Sequence, residues 1–484
     1  MYFIPSYIII TFITIISFIH QSHQKLLFVY EHIRHGTRGP GFGEQNTNII
    51  NTDLFNTSWE GNGEITNIGL RMIYILGQLH RQKYGSFLKN ITEPTEIMVL
   101  SSPKRRTIMS AYALLRGMFP NTKDKLITST ELTKTLPPIK LSNELNEYIN
   151  QQEHFPIPHQ ETLIPVHIME HYENKVLLTD ESVCAKMKSY KQISMQNGLL
   201  QQSFQKLNET YGKQIIKYFK LDNNNKTLFT IENTIRLCDV FVVNYDNNKD
   251  LSSFENTGIN LKTFYSLSIE LLNNYLFTGE CTEEISPLAL SVTIPRILKW
   301  MQTHIDLDIK NKISVINKHA YPKYVIYSAH DKTLAPFQLF MKHIFGSKLI
   351  YPSFGSNLFF ELHRNDSSLN RNGEKDDYYV RYYFNDELLL EEKFEIFKKR
   401  INDMLWSKEY IRDFCTVIKD LNYAKGIIVL IGIVFIGISL IFVKMKMIEG
   451  KEERTRKRLR KYSNHIDEVY KGMSEKMEEL VNIK

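Results

Sequence analysis

The chain has 484 residues, 43% of them hydrophobic and 23% charged, and this ordinary balance excludes a disordered protein and allows two or three domains. The formal net charge is +7, which is modest for the length. No stripe of Lys and Arg with interleaved aromatic residues crosses the body of the chain, which argues against nucleic acid as a partner.

An apolar run opens the chain. Residues 4–20, IPSYIIITFITIISFIH, have the length and character of a signal-peptide core. No clean small-residue cleavage site follows, and there is no basic segment before the run beyond the N-terminal amine. An uncleaved signal anchor is therefore an alternative, but we predict a removable signal peptide comprising residues 1–23.

The first strand-like segment, KLLFVYEHI from Lys25, ends at RHGTRGP, where Arg34, His35 and Arg38 are crowded together. Like charges in a short loop repel one another, and a guanidinium group cannot escape by losing its proton. The arrangement is favourable when an anion lies among these side chains. Arginine forks bind phosphoryl oxygens through paired charge-assisted hydrogen bonds, so the loop predicts a phosphate site.

A helix and two further strands follow. The segment GEITNIGLRMIYILG has Thr66 as a candidate N-cap. Its apolar residues at helical spacing, which we expect to face the core, are Ile65, Ile68, Met72, Leu76 and Leu79. The runs MVLSSP (98–103) and YVIYSAH (324–330) are short and apolar and end in polar loops, which is typical of strands.

Strand, helix, strand order predicts a parallel sheet with crossover helices, in which loops beyond the carboxyl ends of the strands share a crevice. The side chains expected to meet in that crevice are Arg34, His35, Arg106 and His330.

The middle of the chain, residues 133–288, contains long helix-like segments separated by Pro-rich and Asn-rich loops. We predict an α/β fold: a three-layer core with a mostly parallel sheet flanked by helices, built from residues 24–132 and 289–420. Residues 133–288 form a smaller, mostly helical inserted domain. After His330 we expect an antiparallel strand pair and then a helix.

A second apolar run lies near the C-terminus. Residues 426–443, GIIVLIGIVFIGISLIFV, carry no charge, and at about 1.5 Å per residue they nearly cross a bilayer core. Lys444, Lys446 and the segment KEERTRKRLRK (451–461) supply the positive cluster expected on the cytoplasmic side. We predict a transmembrane helix at 426–443 with a cytoplasmic tail at 444–484; a buried core helix is the alternative.

This topology places the body of the chain in an oxidising, glycosylating compartment. Candidate glycosylation sites between the two apolar runs are Asn56, Asn90, Asn208, Asn225 and Asn365. The four cysteines, Cys184, Cys238, Cys281 and Cys415, lie in the same region without CxxC spacing. Two disulfides are therefore favoured over a metal site, and three pairings are open.

The arginine-flanked histidine predicts covalent chemistry. Neutral histidine is a competent nucleophile, and adjacent arginines depress its pKa and stabilise charge on the phosphoryl oxygens, so His35 is the predicted nucleophile. The leaving alkoxide must gain a proton, and Asp331, in SAHDKTL after His330, is the predicted general acid. We expect neither a metal nor another cofactor.

Together, RHGTRGP, the GEITNIGLRMIYILG helix, RRTIMSA (105–111) and SAHDKTL resemble the histidine acid phosphatase family over essentially the whole body of the chain. The resemblance implies an α/β core with a smaller helical domain, and a phosphohistidine on His35. It also implies phosphate binding by Arg34, Arg38, Arg106 and His330, with Asp331 as proton donor. The segments PSFGSNLFFEL and YYVRYYFNDELL would then be structural.

The resemblance also implies a disulfide between Cys184 and Cys415, which leaves Cys238 and Cys281 as a second pair. The chain departs from the animal acid phosphatase pattern at SSPKRRT (101–107), where Leu100 and Pro103 replace an Arg and an Asp. This departure leaves the substrate preference open.

We therefore expect a single-pass type I membrane acid phosphatase that hydrolyses small phosphomonoesters, with its active site luminal or extracellular. A YKGM motif at 470–473 resembles an endocytic sorting signal and indicates endosomal or lysosomal delivery, with the cell surface as the other expected location. Two alternatives are a phytase-like phosphatase of phosphorylated inositols, suggested by Lys104 and Arg105, and a catalytically inactive receptor or binding module. A homodimer is left open.

Overall fold

The computed structural model describes residues 24–41, 55, 59, 61–89, 96–120, 126–132, 134–135, 142–151, 154, 163–219, 230–309, 321–365 and 378–416. The chain forms two compact units, the larger drawn from Met1–Thr179 and Ser194–Trp406 and the smaller from Asp180–Ile193 and Ser407–Lys484. Within the described ranges, no helix is long and apolar enough to cross a bilayer. The predicted signal peptide, transmembrane segment 426–443 and tail lie outside those ranges.

The larger unit is built on one seven-stranded mixed sheet with the order β3-β2-β4-β1-β5-β6-β7. Its strands are β1 (Gln24–Arg34), β2 (Ile97–Ser101), β3 (Val166–Ile168), β4 (Tyr324–Ala329), β5 (Asn357–Asn365), β6 (Tyr378–Phe384) and β7 (Glu387–Lys393). The four strands β3, β2, β4 and β1 pair in parallel, as the strand, helix, strand order predicts. Strands β5, β6 and β7 extend the sheet by antiparallel pairing.

The central strand β1 is buried from Leu27 to its end. A strand covered on both faces appears in the sequence as a continuous apolar run, which is the character of LLFVY. In the parallel pairing with β4, Arg34 lies opposite Ala329. The next residues, His35 and His330, therefore leave the sheet side by side at the carboxyl ends of two neighbouring strands.

Helices cover the sheet and form most of the middle of the chain. In chain order they are α1 (Asn67–Lys83), α2 (Gly85–Lys89), α3 (Arg105–Met118), α4 (Ser129–Leu132), α5 (Asn143–Asn150), α6 (His171–Leu177), α7 (Met187–Ser194), α8 (Gly198–Tyr218), α9 (Ile231–Asp246), α10 (Ser252–Glu255), α11 (Leu261–Asn274), a π-helix (Tyr275–Glu280), α12 (Ser286–Leu290), α13 (Thr293–Ile309), α14 (Asp331–Phe345), α15 (Phe394–Met404) and α16 (Lys408–Cys415).

The buried face of α1 differs from the sequence prediction. Thr66 caps the helix as expected, because its hydroxyl accepts a hydrogen bond from the Gly69 amide. However, Ile68 and Leu79 are 45% and 50% exposed. The buried face instead contains glycines; its residues are Gly69, Ile73, Gly77 and His80.

Close backbone contact explains this reversal. A Cβ atom on Gly77 would lie 2.2 Å from the carbonyl oxygen of Leu114 in α3, and one on Gly69 would lie 2.1 Å from the carbonyl oxygen of Thr37. Helix α1 therefore approaches both α3 and the loop after β1 too closely for any side chain at these positions. Because the glycines must face inward, Ile68 and Leu79 lie on the outer face, whereas Leu76 stays partly buried against the core.

Helices α8, α9 and α11, which fall within the predicted insertion, pack around a hydrophobic cluster of their own that includes Leu207, Phe241 and Phe264. They belong to the larger unit together with the sheet. The predicted mostly helical character of this region agrees with the structure. The predicted domain limits at residues 133 and 288 stay a prediction.

One of the two expected disulfides is present. Cys184 and Cys415 are joined, and both lie in the smaller unit. The expected Cys238–Cys281 bridge is wrong, because both residues are buried thiols. Cys238 packs in the cluster of α8, α9 and α11, and Cys281 packs with Leu276 and Leu339 in a different cluster, so hydrophobic packing, not a bridge, accounts for their burial.

Replacing Gly77 by Ala should destabilise the protein, because the new methyl group must displace the backbone of α3. Overpacking of this kind costs about 1–3 kcal/mol. The matched control is Gly198→Ala at the start of α8, where a Cβ meets nothing within 4 Å. We expect this control to be neutral or slightly stabilising in urea unfolding. Equal stability of the two variants would contradict the close-contact account of α1.

Candidate active site

The loop after β1 is held by three hydrogen bonds to its backbone, from three directions. The amide of His35 donates to the Ala329 carbonyl (3.1 Å), and the amide of Gly355 donates to the His35 carbonyl (3.2 Å). The amide of Gly36 donates to the hydroxyl of Ser110 in α3 (3.2 Å). The position of His35 is therefore set by the sheet, by the segment before β5 and by α3.

The imidazole of His35 is oriented by its two ring nitrogens. Nδ1 lies 2.8 Å from the Gly36 carbonyl oxygen, which can only accept, so Nδ1 carries the proton. Nε2 is then the nitrogen with the lone pair, and it accepts a hydrogen bond from Nε of Arg106 (3.1 Å). Burial lowers the pKa of His35 well below its ordinary value, and the charges of His330 and Arg106 lower it further.

Arg34 is buried at the end of β1. Its Nη2 lies 2.7 Å from Oδ2 of Asp331, and its Nη1 donates to the Pro352 carbonyl (2.6 Å). Its guanidinium carbon lies 4.1 Å from the ring centroid of Phe354. Burial alone would lower the pKa of Arg34, but the Asp331 carboxylate outweighs this and raises it, so the group stays charged.

Arg38 and Arg106 complete a cluster of three guanidinium groups. Nη2 of Arg38 lies 3.1 Å from both carboxylate oxygens of Asp239 in α9, and Nη1 donates to the Gly39 carbonyl (3.0 Å). Arg106 lies in the first turn of α3, whose positive end favours anions. Burial and the charge of Arg38 lower the pKa of Arg106 to about 10, which leaves it charged.

His330 follows β4 and occupies the N-cap position of α14. Its Nε2 lies 2.9 Å from the hydroxyl of Ser102. The rings of His330 and His35 are 5.4 Å apart, nearly perpendicular. Burial and the charge of Arg106 lower the pKa of His330 to about 3, so the ring is neutral at mildly acidic pH.

Asp331 is the first residue of α14, and its side chain is 27% exposed. Burial would raise the pKa of this carboxyl, but the charges of Arg34, Lys332 and His330 together hold it below the ordinary value. An anionic group bound to Arg34 would weaken the hold of Arg34 on Asp331. The pKa of Asp331 would then rise, which is the direction that a proton donor needs.

The structure brings all of the predicted site residues together at the carboxyl ends of β1 and β4: Arg34, His35, Arg38, Arg106, His330 and Asp331. Within the described residues, no group of three or more His, Cys, Asp or Glu side chains is arranged to hold a metal ion. The arrangement of three guanidinium groups around one imidazole is suited to a single phosphoryl group.

Sequence reasoning missed several side chains that contact the arginines. Phe354 lies under Arg34 and, at 5.9 Å, under Arg38. The segment PSFGSN, expected to be structural, thus lines the site. Asp239 lies about two hundred residues from Arg38 in sequence, and no local pattern marks it. One signal could have indicated that PSFG lines the site: this segment lies just before β5, the strand that pairs with β1.

The candidate glycosylation sites are only partly within the described residues. Asn208 lies exposed on α8, and Asn365 is half-buried at the end of β5. Asn56, Asn90 and Asn225 lie outside the described ranges.

Comparison with known proteins agrees with this geometry. The sequence profile of the Histidine phosphatase superfamily (branch 2) matches residues 25–385. The chain is 25% identical to human prostatic acid phosphatase over 75% of this chain and 78% of that one. It is 24% identical to Xenopus laevis lysosomal acid phosphatase over 75% of this chain and 70% of that one.

Among solved structures, a Hafnia alvei phytase in complex with myo-inositol hexakis sulphate has a similar fold. The TM-score is 0.50 at 13% sequence identity, and the match covers 80% of this chain and 98% of that one. At this identity the likeness concerns the fold alone.

Replacing Phe354 by Leu should weaken phosphate binding, because the aromatic face beneath Arg34 and Arg38 is lost. A desolvated cation–π contact contributes about 0.5–2 kcal/mol, so we expect roughly 2- to 30-fold weaker binding of inorganic phosphate by calorimetry. The control is Phe119→Leu, a partly buried phenylalanine that packs against the sheet. Unchanged phosphate affinity in Phe354→Leu would show that the aromatic ring does not contribute to phosphate binding.

Proposed function

The chain belongs to the histidine phosphatase superfamily (branch 2) and is a phosphatase, and we propose that it hydrolyses phosphate monoesters through a phosphohistidine on Nε2 of His35. The observation that carries this proposal is the orientation of the imidazole. Nδ1 is committed to the Gly36 carbonyl, and Nε2 faces the guanidinium group of Arg106. The nucleophilic lone pair therefore points to where a phosphoryl group would be bound.

In the first step, Nε2 of His35 attacks phosphorus, and the bond between phosphorus and the ester oxygen breaks. The leaving oxygen takes the proton of Asp331, so the alcohol departs neutral and Asp331 becomes a carboxylate. Arg34, Arg38 and Arg106 stabilise the charge that spreads over the phosphoryl oxygens. His330, oriented by Ser102, completes this set as a neutral hydrogen-bonding group.

In the second step, water attacks phosphorus and the bond from phosphorus to Nε2 breaks. Asp331 takes one proton from the attacking water, which restores the acid, and inorganic phosphate is released. The same carboxyl thus serves as acid and then as base.

This mechanism works best at acidic pH. The lowered pKa of His35 keeps its imidazole neutral well below pH 6.5, so the nucleophile survives acidification. Activity is then lost on the alkaline side, because Asp331 must be protonated in the first step and its pKa is held low. Replacing Asp331 should therefore change how the hydrolysis rate falls as the pH rises.

The test is hydrolysis by the purified full-length protein, with chelator present, across pH 3 to 8. His35→Ala should lose activity towards every ester. Asp331→Asn should lose roughly 10²–10⁴-fold in kcat/KM, which reports the first step alone, for an alkyl phosphate, whose alkoxide needs the proton, and much less for p-nitrophenyl phosphate, whose leaving group does not. Equal losses for the two esters would contradict the role of Asp331, and an active His35→Ala variant would contradict that of His35.

A catalytically inactive receptor is the competing function, and such a receptor would be expected to have lost His35 or Asp331. Both are present, and both make the contacts that the chemistry needs. The basic residues that suggested a phytase also have a simpler account. Arg105 is 83% exposed with Glu64 at 3.6 Å, and Lys104 is exposed as well, so these charges are largely solvated.

We further propose that the enzyme is membrane-anchored through residues 426–443, with its active site in a lysosomal, endosomal or extracellular space. The uncharged run and the basic segment after it support this placement. The Cys184–Cys415 disulfide supports an oxidising compartment, and the relatives include lysosomal acid phosphatases.

Full-length protein in cell membranes should resist extraction by alkaline carbonate and should shift in mass on treatment with a glycosidase. Replacing Val434 and Phe435 by Arg should release it, since each arginine at a helix centre costs about 2.5–3.5 kcal/mol on insertion. Replacing Lys451 and Arg454 by Gln is the control and should leave it bound. Extraction of the unaltered chain would contradict the anchor.

A further inference from the structure

The carboxylate of Asp239, on helix α9 in the mostly helical middle of the chain, is directed at the phosphate-binding arginines. Asp239 in α9 contacts Nη2 of Arg38 through both oxygens at 3.1 Å, and the two side chains are 17% and 11% exposed. Its negative charge also acts on Arg34 and Arg106, and so reaches all three guanidinium groups. Neither step of the reaction uses this residue.

Helix α9 is fixed against the phosphate loop at a second point. Asn247, which caps its C-terminus, donates from Nδ2 to the Thr37 hydroxyl (2.9 Å) and to the Arg38 carbonyl (3.2 Å). It also accepts from the hydroxyl of Thr66 at the start of α1 (2.7 Å). These hydrogen bonds fix the position of α9, and therefore of Asp239, relative to Arg38.

The net positive charge of the site is close to the negative charge of one phosphoryl group. His35 and His330 are neutral at mildly acidic pH. With Asp331 protonated as the donor, three guanidinium groups and the Asp239 carboxylate leave two positive charges. At mildly acidic pH a phosphomonoester group, whose second pKa is about 6, carries between one and two negative charges, so at most about one positive charge remains for a second phosphate.

Other charged side chains at the rim do not alter this balance. Lys332 is paired with Glu280 at 2.6 Å, and Arg105 has Glu64 at 3.6 Å. Asp246, later on α9, accepts from the Tyr265 hydroxyl (3.0 Å), and burial raises its pKa. At acidic pH it therefore carries less charge than an ordinary aspartate would.

We propose that Asp239 is a specificity-determining residue: by compensating part of the charge of Arg38, it restricts the site to phosphomonoesters whose alcohol carries no further phosphate. This inference rests on the proposed function and adds a substrate class to it. Polyphosphorylated substrates are disfavoured, because their additional phosphates meet a carboxylate and find little positive charge that the first phosphate has not already neutralised.

The test compares kcat/KM for p-nitrophenyl phosphate and for myo-inositol hexakisphosphate in full-length wild type, Asp239→Asn and Asp239→Glu. We expect the ratio of hexakisphosphate to aryl phosphate to rise roughly tenfold in Asp239→Asn and to stay near the wild-type value in Asp239→Glu. The rise should shrink in high salt, because the effect is electrostatic. Asp306→Asn, which removes a carboxylate exposed on α13, is the control and should leave the ratio unchanged.

An unchanged ratio in an Asp239→Asn variant that still hydrolyses aryl phosphate would overturn the inference. Wild-type protein inactive on aryl phosphate would instead overturn the proposed function, so the two failures are distinguishable. If Asp239→Asn does not fold, the inference is tested instead by competitive inhibition of aryl phosphate hydrolysis in the wild-type protein. Hexakisphosphate should compete no better than inorganic phosphate, and tenfold tighter competition would overturn the inference.

Discussion

Three guanidinium groups share a largely buried pocket with one imidazole, and the rest of the structure has to compensate for that concentration of positive charge. Isolated from water, such groups repel one another and are expensive to bury. The protein offsets this with two carboxylates, Asp331 on Arg34 and Asp239 on Arg38, and with the aromatic face of Phe354 beneath both arginines. The same concentration of charge lowers the pKa of His35 and stabilises a phosphoryl transition state, so the cost of burial and the catalytic benefit have one source.

The fold makes this arrangement possible by close backbone packing. Parallel pairing of β1 with β4 puts His35 and His330 next to each other, and α3 brings Arg106 to Nε2 of His35. Contact between α1 and the loop requires glycine at positions 36 and 69, where a Cβ would lie within 2.4 Å of backbone oxygen. The buried face of α1 therefore contains two glycines, while Ile68 and Leu79 lie on its exposed side.

The sequence predicted the catalytic cluster because its members occur in short motifs that end predicted strands or begin helices. Arg34, His35, Arg106 and His330 could be placed in one crevice from the topology of parallel strands alone. The sequence could not predict the role of Asp239. A carboxylate on a distant helix has no local signature, and it reaches Arg38 only because α9 packs on the loop. The outward position of Ile68 was missed because periodicity reports where apolar residues recur and not where the backbone must pass closely. Likewise an even number of cysteines does not require that all are bridged.

The most direct test of the account is to trap the phosphoenzyme. Full-length protein mixed with a ³²P-labelled phosphomonoester and quenched in alkaline denaturant should retain label that is stable to base and labile to acid, as a phosphohistidine is, and peptide mapping should place it on His35. Label should be absent from His35→Ala and should persist longer in Asp331→Asn, in which water is activated poorly. Rapid hydrolysis without any labelled wild-type intermediate, or label on another residue, would contradict the central role of His35.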